Sequence, residues 1–124
     1  MVVSPPGGSV TREDRSASPD GRYIVGVEQL EVRAFQWVDT PQLVDRATDL
    51  TVLELTDPCW HLDSADWRSA AVVTLRLRHF PDGLQSYDVT VDCGQLTASV
   101  DGGETRPLAE LDEVLAAATR DRTR

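Results

Sequence analysis

The chain has 124 residues, a length that predicts one domain, and its 21 acidic against 12 basic residues give a formal net charge of −9. Such a charge would repel nucleic acid and anionic membrane surfaces, which are excluded as expected partners, whereas a basic protein or a cation would be attracted. The hydrophobic fraction of 40% is ordinary for a globular domain.

The two ends of the chain differ in composition from its body. Residues 1–19 are rich in Pro, Gly, Ser and charge, which predicts a disordered leader before a single mainly-β domain at 20–119 and a basic tail at 120–124. The N-terminus has neither the basic nor the apolar region of a signal peptide, and no apolar run is long enough to span a membrane. We therefore expect a cytoplasmic protein whose two cysteines stay reduced.

The first half of the domain predicts short strands separated by turns. A turn at Asp20-Gly21 precedes a strand that starts at Arg22, and residues 42–45 and 51–55 are two further strands with a turn between them.

These segments resemble a known repeat unit. SPDGRYIV at residues 18–25, QLVDRATDLTVLEL at 42–55 and the turn with Trp and Asp that follows are similar to one blade of a TolB-type β-propeller. In such blades an S-P-D-G-R turn opens a strand, and an L-V-D-x-x-T segment forms the next hairpin. Because one blade cannot close a propeller and residues 60–67 hold no second S-P-D-G, the resemblance implies a blade-like antiparallel meander. The layout also resembles small acidic proteins of GC-rich bacteria, including immunity proteins of toxin systems.

The segment 58–67 links the two halves of the domain and gathers aromatic and acidic residues. Trp60 and Trp67 flank a predicted turn that holds Asp63 and Asp66. Two interpretations stay open, because the tryptophans of so small a domain are either anchors of its core or exposed anchors for a partner. On the second interpretation, Trp60, Asp63, Asp66 and Trp67 form a partner-binding site with the two acids as its charged rim.

Residues 71–100 predict the sheet around which the domain is built, as three antiparallel strands joined by tight turns. Apolar and polar residues alternate along them, as expected for strands with one buried face. We expect Leu75, Leu77, Val89 and Val91 to be buried together.

The expected register follows from the turns. If residues 81–83 turn the chain and Phe80 lies opposite Ser86, Arg78 lies opposite Asp88 on the exposed face. Gly94-Gln95 suits a type II′ turn into the third strand.

A helix is predicted from Pro107 to about Thr119. Proline is favoured at the first helical position, and Leu108, Leu111 and Leu115 fall on one stripe. We expect this stripe to cover a face of the sheet, although a helix offered to a partner is the alternative.

Few residues could carry catalysis or bind a metal. The C-x-H-x-D-x-x-D spacing from Cys59 to Asp66 matches no structural zinc pattern, and nothing marks a pocket that would lower the thiol pKa of Cys59 or Cys93. His79 is expected to be a partly buried, hydrogen-bonded residue. Nucleophile-elbow, phosphate-loop and dinucleotide motifs are missing. We therefore predict no metal and no cofactor, and we favour a protein that is not an enzyme.

The sequence predicts a mainly-β fold, an antiparallel meander of about six or seven strands with one C-terminal α-helix. The favoured function is that of a non-catalytic protein-binding domain, in concrete form an immunity-type neutraliser of a basic partner. The alternative is a small-molecule-binding or biosynthetic protein with a ligand cavity in a curved β-sheet or barrel. The sequence also leaves open the alternative of a homo-oligomer formed through an exposed strand edge.

Overall fold

The computed structural model of the protein describes residues 12–33, 36–79 and 86–122. Within them the chain forms two antiparallel sheets and one C-terminal helix, which confirms the mainly-β class, the meander and the helix. The described strands number nine instead of six or seven, because polar or bulged segments that looked like a leader, a linker or a turn also pair.

Within each sheet, strands that are consecutive in sequence lie side by side. Sheet 1 consists of β1 (Arg12–Ala17), β2 (Tyr23–Arg33), β3 (Gln36–Asp45) and β4 (Leu50–Glu54) in that order. Sheet 2 consists of β5 (Trp60–Trp67), β6 (Val72–His79), β7 (Ser86–Asp92), β8 (Thr97–Val100) and β9 (Arg106–Pro107). A single 3₁₀ turn over Leu108–Glu110 leads into α1 (Leu111–Arg122).

Part of the predicted leader is a strand, and that part of the expectation is wrong. Residues 12–17 form β1 and pair with β2, with Ser16 opposite Val25. Ser18 closes the turn between them, because its backbone N–H donates to the Tyr23 carbonyl at 2.8 Å and its Oγ accepts the Tyr23 N–H at 3.0 Å. A strand at the edge of a sheet can be polar, which is why composition alone concealed it. Residues 1–11 lie outside the described residues.

The linker predicted at 58–67 is also largely a strand. In β5, Trp60 and Leu62 point into the core, and so do Ala65 and Trp67 after a bulge at Asp63. The extra residue shifts the inward positions from even to odd numbers, so the period-two alternation is broken at the point where it would have been recognised.

The register between β6 and β7 differs from the expected one by two residues. Leu75 lies opposite Val89, and Arg76, rather than Arg78, lies opposite Asp88. A shift of two keeps every side chain on its face, so the alternation could not distinguish the two registers. The turn expected at residues 81–83 lies outside the described residues.

The register between β7 and β8 is confirmed, but the turn is of another type. Val91 lies opposite Ala98 and Val89 opposite Val100, as Gly94-Gln95 predicted. The residue in the left-handed region is Leu96, with φ of 57°, and not Gly94. A type II′ turn, which needs φ above zero at its first central residue, is therefore excluded.

One hydrophobic core joins both sheets and the helix. Leu75, Leu77, Val89 and Val91 are fully buried, as predicted, and they share a cluster with residues of sheet 1 such as Leu43. The inner faces of the two sheets therefore pack against each other.

The helix closes one end of this core. Leu108, Leu111 and Leu115 are buried, which confirms the predicted stripe. Helix α1 continues to Arg122, beyond the expected end at Thr119, so that the first part of the predicted basic tail is helical; arginine is a good helix former and suits the negative end of the helix dipole. No helix in the described part of the chain is long and apolar enough to cross a membrane.

A pair of leucine truncations tests the packing of the core. Leu75 is 0% exposed, so we expect Leu75→Ala to lower the free energy of unfolding by about 2–5 kcal/mol. The same change at Leu50, which is 65% exposed, should cost under about 0.5 kcal/mol. Urea denaturation measures both, and similar losses for the two variants would contradict the assignment of the buried face.

Candidate functional site

The residues predicted to bind a partner lie along β5, and the first of them is a core residue. Trp60 is 2% exposed and packs edge-on against Tyr87 and His79, with ring centroids 5.5 and 4.7 Å away. Its ring cannot reach a partner while β5 stays folded. The expectation of an exposed anchor at Trp60 is wrong, and the alternative of a core anchor holds for it.

Trp67, at the other end of β5, is half-buried and joins the two sheets. Its indole stacks on Tyr23 with the ring centroids 6.5 Å apart, and its Nε1–H donates to Ser16 Oγ at 3.0 Å. The ring therefore holds β1 and β2 against β5. A contact between Trp67 and a partner stays a prediction.

The two acids of the predicted site have different surroundings. The single Nε–H of Arg78 is shared between the two carboxylate oxygens of Asp63, at 2.8 and 3.0 Å, so the charge of Asp63 is neutralised within the protein. Asp66 has a side chain that is 67% exposed and lies 3.6 Å from Arg68. Of the pair, Asp66 is the one that faces solvent.

Two bulged strands meet beside Asp63, in what we call the bulge junction (Arg15, Asp39, His61, Asp63 and Arg78). Arg15 is the extra residue of a bulge in β1, as Asp63 is in β5, and both border a cavity of about 220 Å³. Arg15 Nη2 lies 2.7 Å from Asp39 Oδ2. Sequence analysis missed Arg15 because it fell within the presumed leader.

His61 occupies the centre of the bulge junction and has no free lone pair. Its Nδ1 accepts the backbone N–H of Asp39 at 3.0 Å, so the neutral ring carries its proton on Nε2, 3.7 Å from Asp63 Oδ1. A general base needs an accepting nitrogen within reach of substrate. Through the hydrogen bond from Asp39, His61 links β5 to β3 of the other sheet.

The two thiols are poorly suited to nucleophilic chemistry, because a nucleophilic cysteine needs a lowered thiol pKa. Burial raises the pKa of the Cys59 thiol and raises that of Cys93 to about 12. His79 is part-buried and hydrogen-bonded, as predicted, with its Nε2 2.8 Å from Asp57 Oδ2. The residues that the structure describes contain no group of three or more potential metal ligands.

A different surface, along the open edge of sheet 1, combines exposed apolar and acidic side chains. Two clefts of about 420 and 470 Å³ border β4 and share Val52 and Leu96 in their walls. We call this surface the β4 groove and define it by the following residues: Leu50, Val52, Glu54, Leu96, Pro107 and Asp112. Leu50 and Leu96, 65% and 54% exposed, are the large hydrophobic residues most open to solvent among those described. A single exposed leucine at a strand end or in a turn carries no sequence signal, so this surface was not predicted.

Acidic side chains continue from one end of the groove. Gln42 Nε2 donates to Glu54 Oε2 at 3.1 Å and also to Glu28 Oε1. The two carboxylates thus share one neutral amide, and no arginine with a described side chain makes an ion pair with either. This end of the protein keeps its negative charge.

A forked ion pair fixes the opposite end of the groove. Arg22 Nε and Nη2 lie 3.1 and 3.0 Å from the two oxygens of Asp45, which also accepts the backbone N–H of Ala47 at 2.9 Å. The hydrogen bonds from Arg22 lower the pKa of Asp45 below its usual range.

The two tryptophans should respond differently to substitution. Trp60→Ala leaves a cavity in the core and should cost about 3–5 kcal/mol of unfolding free energy. Trp67→Phe keeps the ring stack but loses the hydrogen bond to Ser16, so about 1 kcal/mol is expected. Denaturant melts measure both, and a Trp60→Ala protein as stable as the parent would show that its ring is not part of the core.

The Asp45–Arg22 pair should make stability depend on acid pH. Since the folded-state pKa is below the unfolded value of about 3.9, the contribution is present above that pH and is lost as pH falls through the lowered pKa. Arg22→Gln should therefore flatten the loss of stability between about pH 5 and 2. The matched control is Arg76→Gln, whose exposed pair with Asp88 is screened by solvent. Equal acid profiles for the two variants would contradict this role.

Comparison with known proteins identifies no relative of this chain. No protein-family model matches the chain, no curated protein is significantly similar in sequence, and no solved structure is significantly similar in fold. The resemblance to a TolB-type blade therefore stays a prediction, carried by the turn before β2 and the β3–β4 hairpin of sheet 1.

Proposed function

We propose that the protein is a cytoplasmic, non-catalytic binding domain that neutralises a basic protein partner, in the manner of an immunity protein. One observation carries the proposal: six of the seven arginines whose side chains are described are already paired within the chain, whereas many of the described acids make no ion pair. Six arginines each have a guanidinium nitrogen 3.6 Å or less from a carboxylate oxygen: Arg15, Arg22, Arg68, Arg76, Arg78 and Arg106. The excess acids are therefore left to attract charges from outside.

Some of these acids are clustered at one end of the molecule, so a basic partner is attracted mainly to that end. Glu28 and Glu54 share Gln42 rather than a cation, and Asp112 lies in the first turn of α1 across the β4 groove from Glu54. Clustered like charges raise the local potential, which accelerates the encounter with a partner of opposite sign. A basic protein would approach this end of the molecule first.

The alternative, a small-molecule-binding protein, is supported less well. A ligand site usually encloses most of its ligand between apolar and aromatic walls. The clefts along β4 open to solvent, and Tyr23 is the aromatic residue in their walls. Core positions in both sheets are filled by side chains with no exposure, such as Val25 and Leu75. These features favour a partner that covers a surface.

The proposal is tested with the proteins encoded beside this gene, basic and acidic ones alike, by biosensor kinetics at 50 and 300 mM salt. We expect a basic protein to bind and its association rate to fall about tenfold or more at the higher salt, with a much smaller change in dissociation. Asp66→Asn and Glu54→Gln, which each remove one exposed charge, should both slow association. Binding limited to acidic proteins, no binding at all, or rates unaffected by salt would overturn the proposal.

A further inference from the structure

The four edges of the two sheets are not equally protected against pairing with another strand. β1 carries charged residues and a bulge at Arg15, β9 has two residues, and β5 is tied to sheet 1 by His61 and Trp67. Bulges, charges and short length are the means by which proteins block an open edge. β4 has a bulge at Val52, but its five residues carry a single charge, at Glu54, and no described residue pairs with its outer side.

The apolar wall facing this edge includes a leucine in a costly conformation. The turns before β4 and before β8 both span four residues and end with a left-handed residue, Asp49 with φ of 58° and Leu96 with φ of 57°. Aspartate tolerates this region, whereas leucine is disfavoured there. A strained and exposed leucine at the rim of a cleft is the kind of outlier that binding sites retain.

The acidic end of the β4 groove favours a positively charged group on the ligand. Glu54 and Asp112 border the same cleft as Leu96. Asp112 Oδ1 is held by the backbone N–H of Thr56 at 3.0 Å, so its carboxylate is fixed in place. A segment lying along β4 would thus meet apolar side chains first and carboxylates at its end.

We propose that the β4 groove binds an extended segment of the basic partner, which adds to sheet 1 as a further strand beside β4. Its apolar side chains contact Leu50 and Leu96, and a lysine or arginine meets Glu54 and Asp112; main-chain hydrogen bonds supply affinity and the side chains supply specificity. The bulge at Val52 limits the added strand to a few residues. This inference rests on the proposed function and names the part of the partner that the domain recognises.

Charge decides against a second copy of the chain as the occupant. Two protomers paired through β4 would each bring a net charge of −9 and would place Glu54 of both in the same interface. Like charges across an interface are unfavourable, whereas a basic segment neutralises them.

The probe is a display library of random 12-residue peptides, selected against the full chain at low salt. We expect enriched peptides to alternate apolar residues with Lys or Arg, and to shift and protect the backbone amides of residues 50–54 in NMR and hydrogen exchange. Their affinity should fall about tenfold or more between 50 and 300 mM salt.

Two substitutions separate binding from folding. Leu96→Asn removes the apolar wall while placing a residue that accepts the left-handed conformation, so it should weaken the selected peptides about tenfold and leave the melting temperature equal or higher. Leu50→Thr should weaken them similarly. The matched control is Asp49→Asn, at the equivalent position of the other turn and outside the cleft walls, which should change affinity at most about twofold.

The remaining outcomes distinguish the two proposals. Basic peptides that bind but shift amides away from β4, or that bind Leu96→Asn unchanged, would overturn the β4 site and leave the proposed function standing. Enrichment of acidic peptides, or of none, would overturn both. Concentration-dependent dimerisation in sedimentation, with protection of residues 50–54, would show that a second copy takes the groove and would overturn the assignment to a partner segment.

Discussion

The structure depends on the mutual burial of two sheets that could not be stable separately. Neither a four-stranded nor a five-stranded meander with one apolar face is satisfied until that face is covered. Val25 and Leu43 of sheet 1 and Leu75 and Val89 of sheet 2 are completely buried in the shared cluster, and α1 seals the end that the strands leave open. The polar links between the sheets, such as the backbone N–H of Asp39 to His61 Nδ1 at 3.0 Å, are possible because this packing holds the strands in place.

The same packing determines which charges remain available. Three arginines form ion pairs with aspartates of the same chain at places where strands meet: Arg15, Arg22 and Arg78. Surface ion pairs of this kind contribute little to stability, but across the protein they neutralise six of the seven arginines whose side chains are described. What remains outside is an acidic molecule whose exposed leucines are concentrated along a single sheet edge. Charge and apolar contact are thereby combined on one side of the domain.

Sequence pattern was sufficient wherever the strands keep a strict period of two. The alternation at Leu75, Leu77, Val89 and Val91 predicted the buried face correctly, and the spacing of Leu108, Leu111 and Leu115 predicted the inner face of the helical region. The pattern could not distinguish two registers that differ by two residues, because both bury the same face of the strands. Arg78 was therefore expected opposite Asp88, whereas Arg76 lies there.

The pattern failed where a strand carries an extra residue. The bulge at Asp63 shifts the inward positions of β5, so the alternation that marks a strand is broken there, whereas β1 was concealed by its polar composition. The sequence predicted a turn between Trp60 and Trp67, and for that reason it allowed both side chains to be exposed. The β4 groove was beyond prediction, since its walls come from residues about 45 to 60 positions apart in the chain and only the tertiary structure brings them together.

The consecutive order of the strands also has a consequence for how the chain folds. Every described strand pairs with its neighbour in sequence, so each sheet can form by successive hairpins whose loops are short and cost little closure entropy. Pairing of consecutive strands keeps the contacts within each sheet close in sequence, and the backbone contacts between the sheets are concentrated between β3 and β5. We therefore expect the rate-limiting barrier to lie in the step that brings the two sheets together, since the hairpins of each sheet form easily but are not stable until their apolar face is covered.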